Sequence, residues 1–219
     1  MDLMKTPRLY YQKPSHYCEK ARAILRYKRI AFELVYVPEG DHHEVIEASG
    51  QDYVPYLQLS EGKGITWPHI ADWAEKTKPK PTIYPGENPK ETRARNRIIE
   101  HWAHNIVEDR VWNYVLPELP KIFRDPKERW IFIELQEAKR GPIEVLRQRR
   151  NELLAGVNEI CKLSQDLLGA RDFLLGADPS LADFALYGAF HPLKVSGNDI
   201  PRQFTSLRKW HNRMNGLTK

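Results

Sequence analysis

The stretch that decides the fold is residues 15–22, with the sequence SHYCEKAR. It follows Arg8–Tyr11, a short run rich in strand-forming aromatics, and Lys13-Pro14 separates the two. Ser15 is a favoured residue at a helix N-terminus, because its hydroxyl can accept a hydrogen bond from a free backbone amide. The pattern therefore predicts a strand followed by a helix that begins at Ser15.

The remainder of the first 85 residues alternates short apolar runs with helical patterns. We predict a strand at 32–37, a helix at 42–48, strands at 55–59 and 65–67, and a helix at 70–75. Glu61-Gly62-Lys63-Gly64 would turn the last two strands into a hairpin. This order of elements predicts a small α/β domain.

A proline-rich connection, with Pro79, Pro81, Pro85 and Pro89, predicts an extended linker. Beyond it we expect only helices, at 92–116, 127–139, 146–167, 181–193 and 202–214. The first of these carries an apolar stripe of Ile98, Trp102 and Ile106. The chain is thus predicted to contain two domains, an α/β domain at 1–85 and an all-helical domain at 86–219.

Composition limits the classes of function. The 219 residues are 41% apolar and 29% charged, and the net charge of +5 comes from basic residues that alternate with acids. Such mixing favours anionic small molecules over nucleic acid as ligands. Two cysteines exclude a disulfide scaffold, and His101 and His104 lack a surrounding ligand set, so we expect no metal. Without a membrane-length apolar run or a signal-peptide pattern, we expect a cytoplasmic protein that does not bind membranes.

Three stretches together resemble the soluble glutathione S-transferase superfamily. They are SHYCEKAR at 15–22, VPYL at 54–57, and FLLG at 173–176 running into PSLADF at 179–184. Their order and spacing match the family over nearly the whole chain, and the Ser-x-x-Cys start of the helix is similar to bacterial members. The resemblance implies a thioredoxin-like domain that binds glutathione, followed by a helical bundle.

The resemblance assigns the sulfur of glutathione to Ser15. A hydroxyl at this place can donate a hydrogen bond to a thiolate, which increases the population of the nucleophile at neutral pH. Cys18 is an alternative reactive group, since a helix N-terminus can lower a thiol pKa. Tyr11 is another, since some classes of the family use a tyrosine near the end of the first strand. In the simplest interpretation Ser15 only caps the helix, Cys18 is buried, and Tyr11 is an ordinary strand aromatic.

The resemblance also implies how the peptide would be held. It implies a cis bond between Val54 and Pro55, with the Val54 backbone pairing with glutathione. Where the family has an acidic residue or glutamine followed by serine, this chain has Thr66 and Trp67. Thr66 keeps a hydroxyl, whereas Trp67 offers only an indole donor. These departures are compatible with an altered ligand or with a loss of catalysis.

A hydrophobic electrophile would lie, by resemblance, in a cleft against helix 92–116. The residues predicted to line it are Trp102, Ile106, Asp109, Arg110 and Asn113. The implied function is transfer of the glutathione thiol to this electrophile, as in detoxification, by a homodimer. The alternatives are a non-catalytic binding protein of the same fold and a Cys18-dependent reductase of mixed disulfides. Ser180–Asp183 predicts a capping box with a role in folding.

Overall fold

The computed structural model describes residues 6–60 and 63–219, and its first part is built on a mixed four-stranded sheet. The strands are β1 (Arg8–Tyr11), β2 (Glu33–Tyr36), β3 (Tyr56–Ser60) and β4 (Lys63–Thr66), in the order β2-β1-β3-β4. β1 is parallel to β2 and antiparallel to β3, and β3 is antiparallel to β4. Glu61 and Gly62 of the predicted turn lie outside the described residues.

Three helices cover this sheet. They are α1 (His16–Tyr27), α2 (His43–Ser49) and α3 (His69–Thr77). Because side chains alternate along a strand, Leu9 faces the main core with α1 and α3, whereas Tyr10 packs on the other face against Val45 of α2. The helix and strand order of the predicted α/β domain is confirmed.

The proline-rich connection is tied down by a buried lysine and is not a free linker. Lys28, just after α1, is fully buried and donates from Nζ to the carbonyls of Lys78 (2.7 Å) and Pro81 (2.8 Å). It also pairs with Glu75 of α3, whose carboxylate accepts from the Ile83 amide at 3.1 Å. The segment therefore belongs to the folded surface of the sheet domain.

The second part is helical throughout. Its elements are α4 (Pro89–Trp102), a π-helical turn (Ala103–Val107), α5 (Glu108–Val115), a 3₁₀ turn (Leu119–Ile122), α6 (Pro126–Arg140), α7 (Ile143–Gln148), α8 (Arg150–Leu168), α9 (Leu181–Val195) and α10 (Thr205–Leu217). The helix predicted at 146–167 is two helices that meet at Arg149, and Pro89 begins α4 instead of lying in the connection. None of the helices within the described residues is long and apolar enough to cross a membrane.

Helix α9 is the centre of the molecule, because it is buried on nearly all sides and packs against α1, α4 and α5. Gly188 permits its close approach to α1. A Cβ at this position would lie 2.7 Å from the His16 carbonyl oxygen and 3.1 Å from the Lys20 Cβ. The start of α1 is therefore set by direct backbone contact with α9.

The predicted capping box at the start of α9 is present, and Asp183 does more than cap. Its buried carboxylate accepts hydrogen bonds from the Ser180 amide (2.9 Å), the Leu174 amide (2.9 Å) and the Trp210 indole (2.8 Å). These partners lie in the preceding loop and in α10, so one side chain joins three segments. Without it, their buried donors would have no acceptor.

We predict that Asp183→Ala lowers the free energy of unfolding by about 3–5 kcal/mol, because it leaves several buried hydrogen-bond donors without an acceptor. Urea denaturation followed by circular dichroism measures the change. Asp166→Ala serves as the control, since Asp166 is exposed and, among the described residues, pairs only with Lys162, at 2.7 Å. Its effect should stay within about 1 kcal/mol. Equal losses in the two variants would contradict this role of Asp183.

Candidate functional site

Ser15 caps α1, as predicted. The residue has an extended backbone and is half-buried, and its Oγ accepts a hydrogen bond from the Cys18 amide at 3.3 Å. The Ser15 side chain also makes a hydrogen bond with the Cys18 thiol, which lowers the pKa of that thiol. A hydroxyl that accepts from an amide and lies at the positive end of a helix can donate to an anion.

Cys18 does not have the surroundings of a reactive thiol. Its side chain is 2% exposed, and burial raises its pKa to about 12 although the Ser15 hydrogen bond acts in the opposite direction. The group is therefore a neutral thiol at physiological pH. The structure favours the packing role of Cys18 over its role in thiol exchange.

A cavity of about 450 Å³ opens beside the start of α1. It lies between the end of β1, α1, β2, the 3₁₀ turn and the end of α9, and we call it the α1–α9 cavity. Its lining residues are Tyr11, Gln12, Lys13, Cys18, Glu19, Arg22, Leu34, Ile122, His191 and Val195. Ser15 is not itself a lining residue, but Lys13, two positions before it, and Cys18, whose amide donates to its hydroxyl, both line the cavity. Tyr11, the alternative sulfur-binding residue, is also in the wall.

The peptide bond between Val54 and Pro55 is cis, as the resemblance implies. Within the described part of the chain, the amide and carbonyl of Val54 have no backbone partner. The Val54 side chain packs on the cluster that contains Tyr10 and Val45. The Val54 backbone is therefore able to pair with an added extended peptide.

Trp67 is engaged in a contact between the two parts of the molecule. Its indole Nε1 donates to Glu100 Oε1 of α4 at 3.0 Å, and its ring lies 3.9 Å from Lys20 Nζ. Lys20 itself is 2% exposed and donates to the same Glu100 oxygen at 3.0 Å. Burial lowers the pKa of Lys20 to about 8, against the opposing effect of Glu100. Trp67 and the neighbouring Pro68 line a second cavity, of about 340 Å³.

A chain of polar side chains crosses from α1 to the π-helical turn. The Tyr17 hydroxyl bonds to Nε2 of His104, and Nδ1 of His104 lies 2.9 Å from Nε2 of His16. His16 Nδ1 lies 3.5 Å from Glu108 Oε1, a distance longer than a normal hydrogen bond. Burial raises the pKa of Glu108 to about 7, with Asp109 adding to the effect and Arg140 opposing it. π-helical turns occur often at functional sites.

Sequence reasoning missed His16 and Glu108 in this chain of contacts. The signal that could have identified Glu108 is the spacing of Glu100, His104 and Glu108, which recur every four residues and so share one helix face. That polar face, and not the apolar stripe, meets α1.

None of the five residues predicted for the electrophile cleft lines the α1–α9 cavity within the described residues. Trp102 lines a shallow apolar cavity with Leu163 and Leu167 of α8, and Arg110 pairs with Glu159 of α8. Ile106 is 43% exposed. The prediction assumed that the apolar stripe faces the cleft, but Trp102 packs against the neighbouring helix.

The other two predicted cleft residues lie on the side of α5 that meets α6. Arg140 of α6 donates to Asp109 at 2.6 Å and to Asn113 at 2.9 Å. Asn113 also donates to Asp109 at 3.2 Å. These contacts connect α5 with α6 and do not involve the start of α1.

Comparison with known families settles the relationship of the chain. The model of the glutathione S-transferase N-terminal domain matches residues 9–81, and that of the C-terminal domain matches residues 146–213. The two matches together cover more than half of the chain. The chain belongs to the glutathione S-transferase superfamily. Its thioredoxin-like and helical parts therefore form the predicted glutathione S-transferase fold. Curated protein sequences give no match.

Solved structures share this fold along nearly their whole length. Glutaredoxin 2 from Salmonella typhimurium, in complex with glutathione, is 22% identical, with a TM-score of 0.79 over 97% of this chain and 94% of that one. A glutathione transferase from Phanerochaete chrysosporium is 21% identical, with a TM-score of 0.76 over 98% and 96%. A glutathione S-transferase from Methylobacterium radiotolerans, in complex with glutathione sulfonate, is 24% identical, with a TM-score of 0.64 over 96% and 91%. At these identities the likeness shows the fold.

We predict that Glu108→Gln flattens the dependence of stability on pH. The pKa of Glu108 is raised from 4.5 to about 7, so the folded protein holds this proton more tightly than the unfolded chain does. The stability that the proton contributes is present at low pH and is lost as the pH rises from 4.5 to about 7.

Between pH 5 and pH 8 the wild-type protein should therefore lose roughly 1–3 kcal/mol of unfolding free energy relative to Glu108→Gln. Urea denaturation at a series of pH values measures the difference. Glu144→Gln, which removes an exposed carboxylate that pairs with Arg147 and is not among the groups that shift the pKa of Glu108, should retain the wild-type slope. Parallel curves for the wild type and Glu108→Gln would contradict the raised pKa.

Proposed function

We propose that this protein binds glutathione at the start of α1 and transfers its thiol to a hydrophobic electrophile. The observation that carries the proposal is the arrangement of Ser15. Its oxygen accepts from the Cys18 amide, its proton can turn from the neutral Cys18 thiol, a weak acceptor, to a ligand anion, and the helix N-terminus lies beside it. These features together stabilise a sulfur anion that a ligand supplies. If they lower the pKa of that thiol by about 2 units, the thiolate fraction increases up to about a hundredfold.

The remaining features of the site supply places for both substrates. The Val54 amide and carbonyl would pair with the backbone of the glutathione cysteine, and Thr66 would offer a hydroxyl to the γ-glutamyl group. Two structures of the same fold contain glutathione or glutathione sulfonate. The electrophile would occupy the α1–α9 cavity, where Leu34, Ile122 and Val195 provide apolar walls. A cytoplasmic homodimer, with the small domain of one subunit against the helical domain of the other, remains part of the proposal.

Thiol–disulfide exchange is the less favoured chemistry. It requires a protein thiolate, and the buried Cys18 thiol has a pKa raised to about 12. The hydroxyl of Ser15 cannot form a disulfide. The thiolate must therefore come from the ligand, as a transferase requires.

Substitutions of Ser15 separate its hydroxyl donor from its role as a helix cap. Ser15→Ala removes both and should lower kcat/KM for conjugation by roughly ten- to hundredfold, because a hydrogen bond to an anion contributes about 1.5–3 kcal/mol. Ser15→Asp keeps the cap but has no hydroxyl donor, so it should be as stable as the wild type and still inactive. Ser15→Thr, which keeps both, should retain activity.

Cys18→Ala provides the comparison that decides between the two sulfur chemistries. We expect it to change kcat/KM by no more than about threefold, with a modest loss of stability from the lost packing. Conjugation is followed spectrophotometrically with an aryl halide and glutathione. If Cys18→Ala abolishes turnover while Ser15→Ala preserves it, the protein uses its own thiol and the transferase mechanism is wrong.

A non-catalytic binding protein is the second candidate, and the contacts of Trp67 favour it. The indole occupies the position where the family has a serine for the γ-glutamyl group, and it is already bonded to Glu100. Titration calorimetry with glutathione distinguishes the two candidates. Binding at millimolar or lower concentration supports the transferase, whereas no heat at millimolar glutathione supports the non-catalytic protein.

A further inference from the structure

The α1–α9 cavity combines apolar walls with an unusual set of charged groups. Lys13, Glu19, Arg22 and His191 are its charged or titratable members besides Tyr11 and Cys18. Glu19 is the only acidic residue among them. The groups therefore carry a positive formal charge together, in a cavity whose volume is typical of sites for small organic molecules.

Arg22 forms an ion pair with Glu19 and has further N–H donors that this pair does not use. Its Nε and Nη2 donate to the two Glu19 oxygens at 2.6 and 2.5 Å. Although burial raises it, the pKa of Glu19 is lowered overall by His191 and by this Arg22 contact, so the carboxylate is ionised. Among the described residues, no protein acceptor binds Nη1 of Arg22. The guanidinium is thus fixed in place with one nitrogen, carrying two N–H groups, left for a ligand.

Two further donors lie in the same wall. Lys13 Nζ is 4.6 Å from the centre of the Tyr36 ring and has no carboxylate partner within the described residues. The Tyr11 hydroxyl likewise has no hydrogen-bond partner among them, and its ring is held edge-on against Tyr36 at 5.7 Å. His191, which also lines the cavity, donates from Nε2 to the Lys13 carbonyl at 2.8 Å.

We propose that the α1–α9 cavity selects a small apolar molecule that carries a carboxylate, and that Arg22 is the residue that binds the carboxylate. The apolar body lies against Leu34, Ile122 and Val195, and Tyr11 and Lys13 supply additional donors. The inference rests on the proposed function in one respect: the same cavity would hold the electrophile. It names the chemical class of that electrophile as an apolar compound with one carboxylate.

Binding can be tested without any catalysis. Calorimetry compares 2-naphthoate with its neutral analogue 2-naphthamide, using the wild-type protein and single variants. The wild type should bind the acid roughly tenfold more tightly than the amide, and Arg22→Gln should reduce this ratio to about one. Arg22→Lys, which keeps the charge but not the planar fork, should retain part of the preference.

Two other variants separate a specific contact from a change in net charge. Lys13→Met should reduce the preference about threefold, and it leaves the Arg22–Glu19 pair intact in case Arg22→Gln fails to fold. Arg202→Gln removes an exposed positive charge that does not line the cavity and should leave the ratio unchanged. The proposal is overturned if the wild type shows no preference, if Arg202→Gln acts like Arg22→Gln, or if Lys13→Met has no effect where Arg22→Gln is unfolded.

A kinetic comparison distinguishes failure of this inference from failure of the proposed function. An α,β-unsaturated ketone with a carboxylate is compared with its methyl ester as acceptor of glutathione, and kcat/KM for the acid should exceed that for the ester. The loss of this preference in Arg22→Gln supports the assignment of Arg22. Discrimination in binding without any conjugation refutes the transferase and leaves the carboxylate site standing. Conjugation without discrimination between the acid and the ester refutes the carboxylate site and leaves the transferase standing.

Discussion

The Glu100 carboxylate joins the α/β domain to the helical domain by hydrogen bonds. It accepts hydrogen bonds from Lys20 of α1, from the Trp67 indole and from Arg97 of its own helix, all at 3.0 Å. A buried charge of this kind is tolerated only when its partners satisfy it, so the three donors must be in place together. The start of α1, and with it Ser15, is consequently positioned by residues of both domains. The close approach of Gly188 to the His16 carbonyl fixes the same turn.

Local patterns were sufficient to predict most of the fold. The Ser15 cap and the first strand depend on side chains within a few residues of one another, and these predictions are confirmed. The single helix predicted at 92–116 is helical in the structure, but as α4 and α5 joined by the π-helical turn. The break at Arg149 was not predicted, because an apolar period continues across it. Features that depend on packing between distant segments could not be predicted from local patterns. An example is the attachment of the proline-rich connection to Lys28.

The candidate site was harder to predict for the same reason. The sequence predicts that the apolar stripe containing Trp102 faces the ligand, since a cleft for a hydrophobic electrophile needs apolar walls. In the folded protein Trp102 packs near α8, and the polar residues Glu100, His104 and Glu108 face α1. A charge such as that of Lys20 is identifiable as buried only when its partners on other segments are known. The apolar walls of the α1–α9 cavity come from β2, the 3₁₀ turn and α9, which are distant in sequence.

Because His16 is neutral, it does not share with Ser15 the proposed role of stabilising a thiolate. His16 follows Ser15 directly, and an imidazolium there would by itself stabilise a thiolate. Burial, together with Lys20 and His104, holds the pKa of His16 well below its usual range, so the ring is uncharged at neutral pH. Burial and Lys20 lower the pKa of His104 as well. Neither imidazole then supplies a positive charge at the start of α1. In the proposed mechanism, the hydroxyl of Ser15 and the amides of the first helical turn stabilise the sulfur anion at that place.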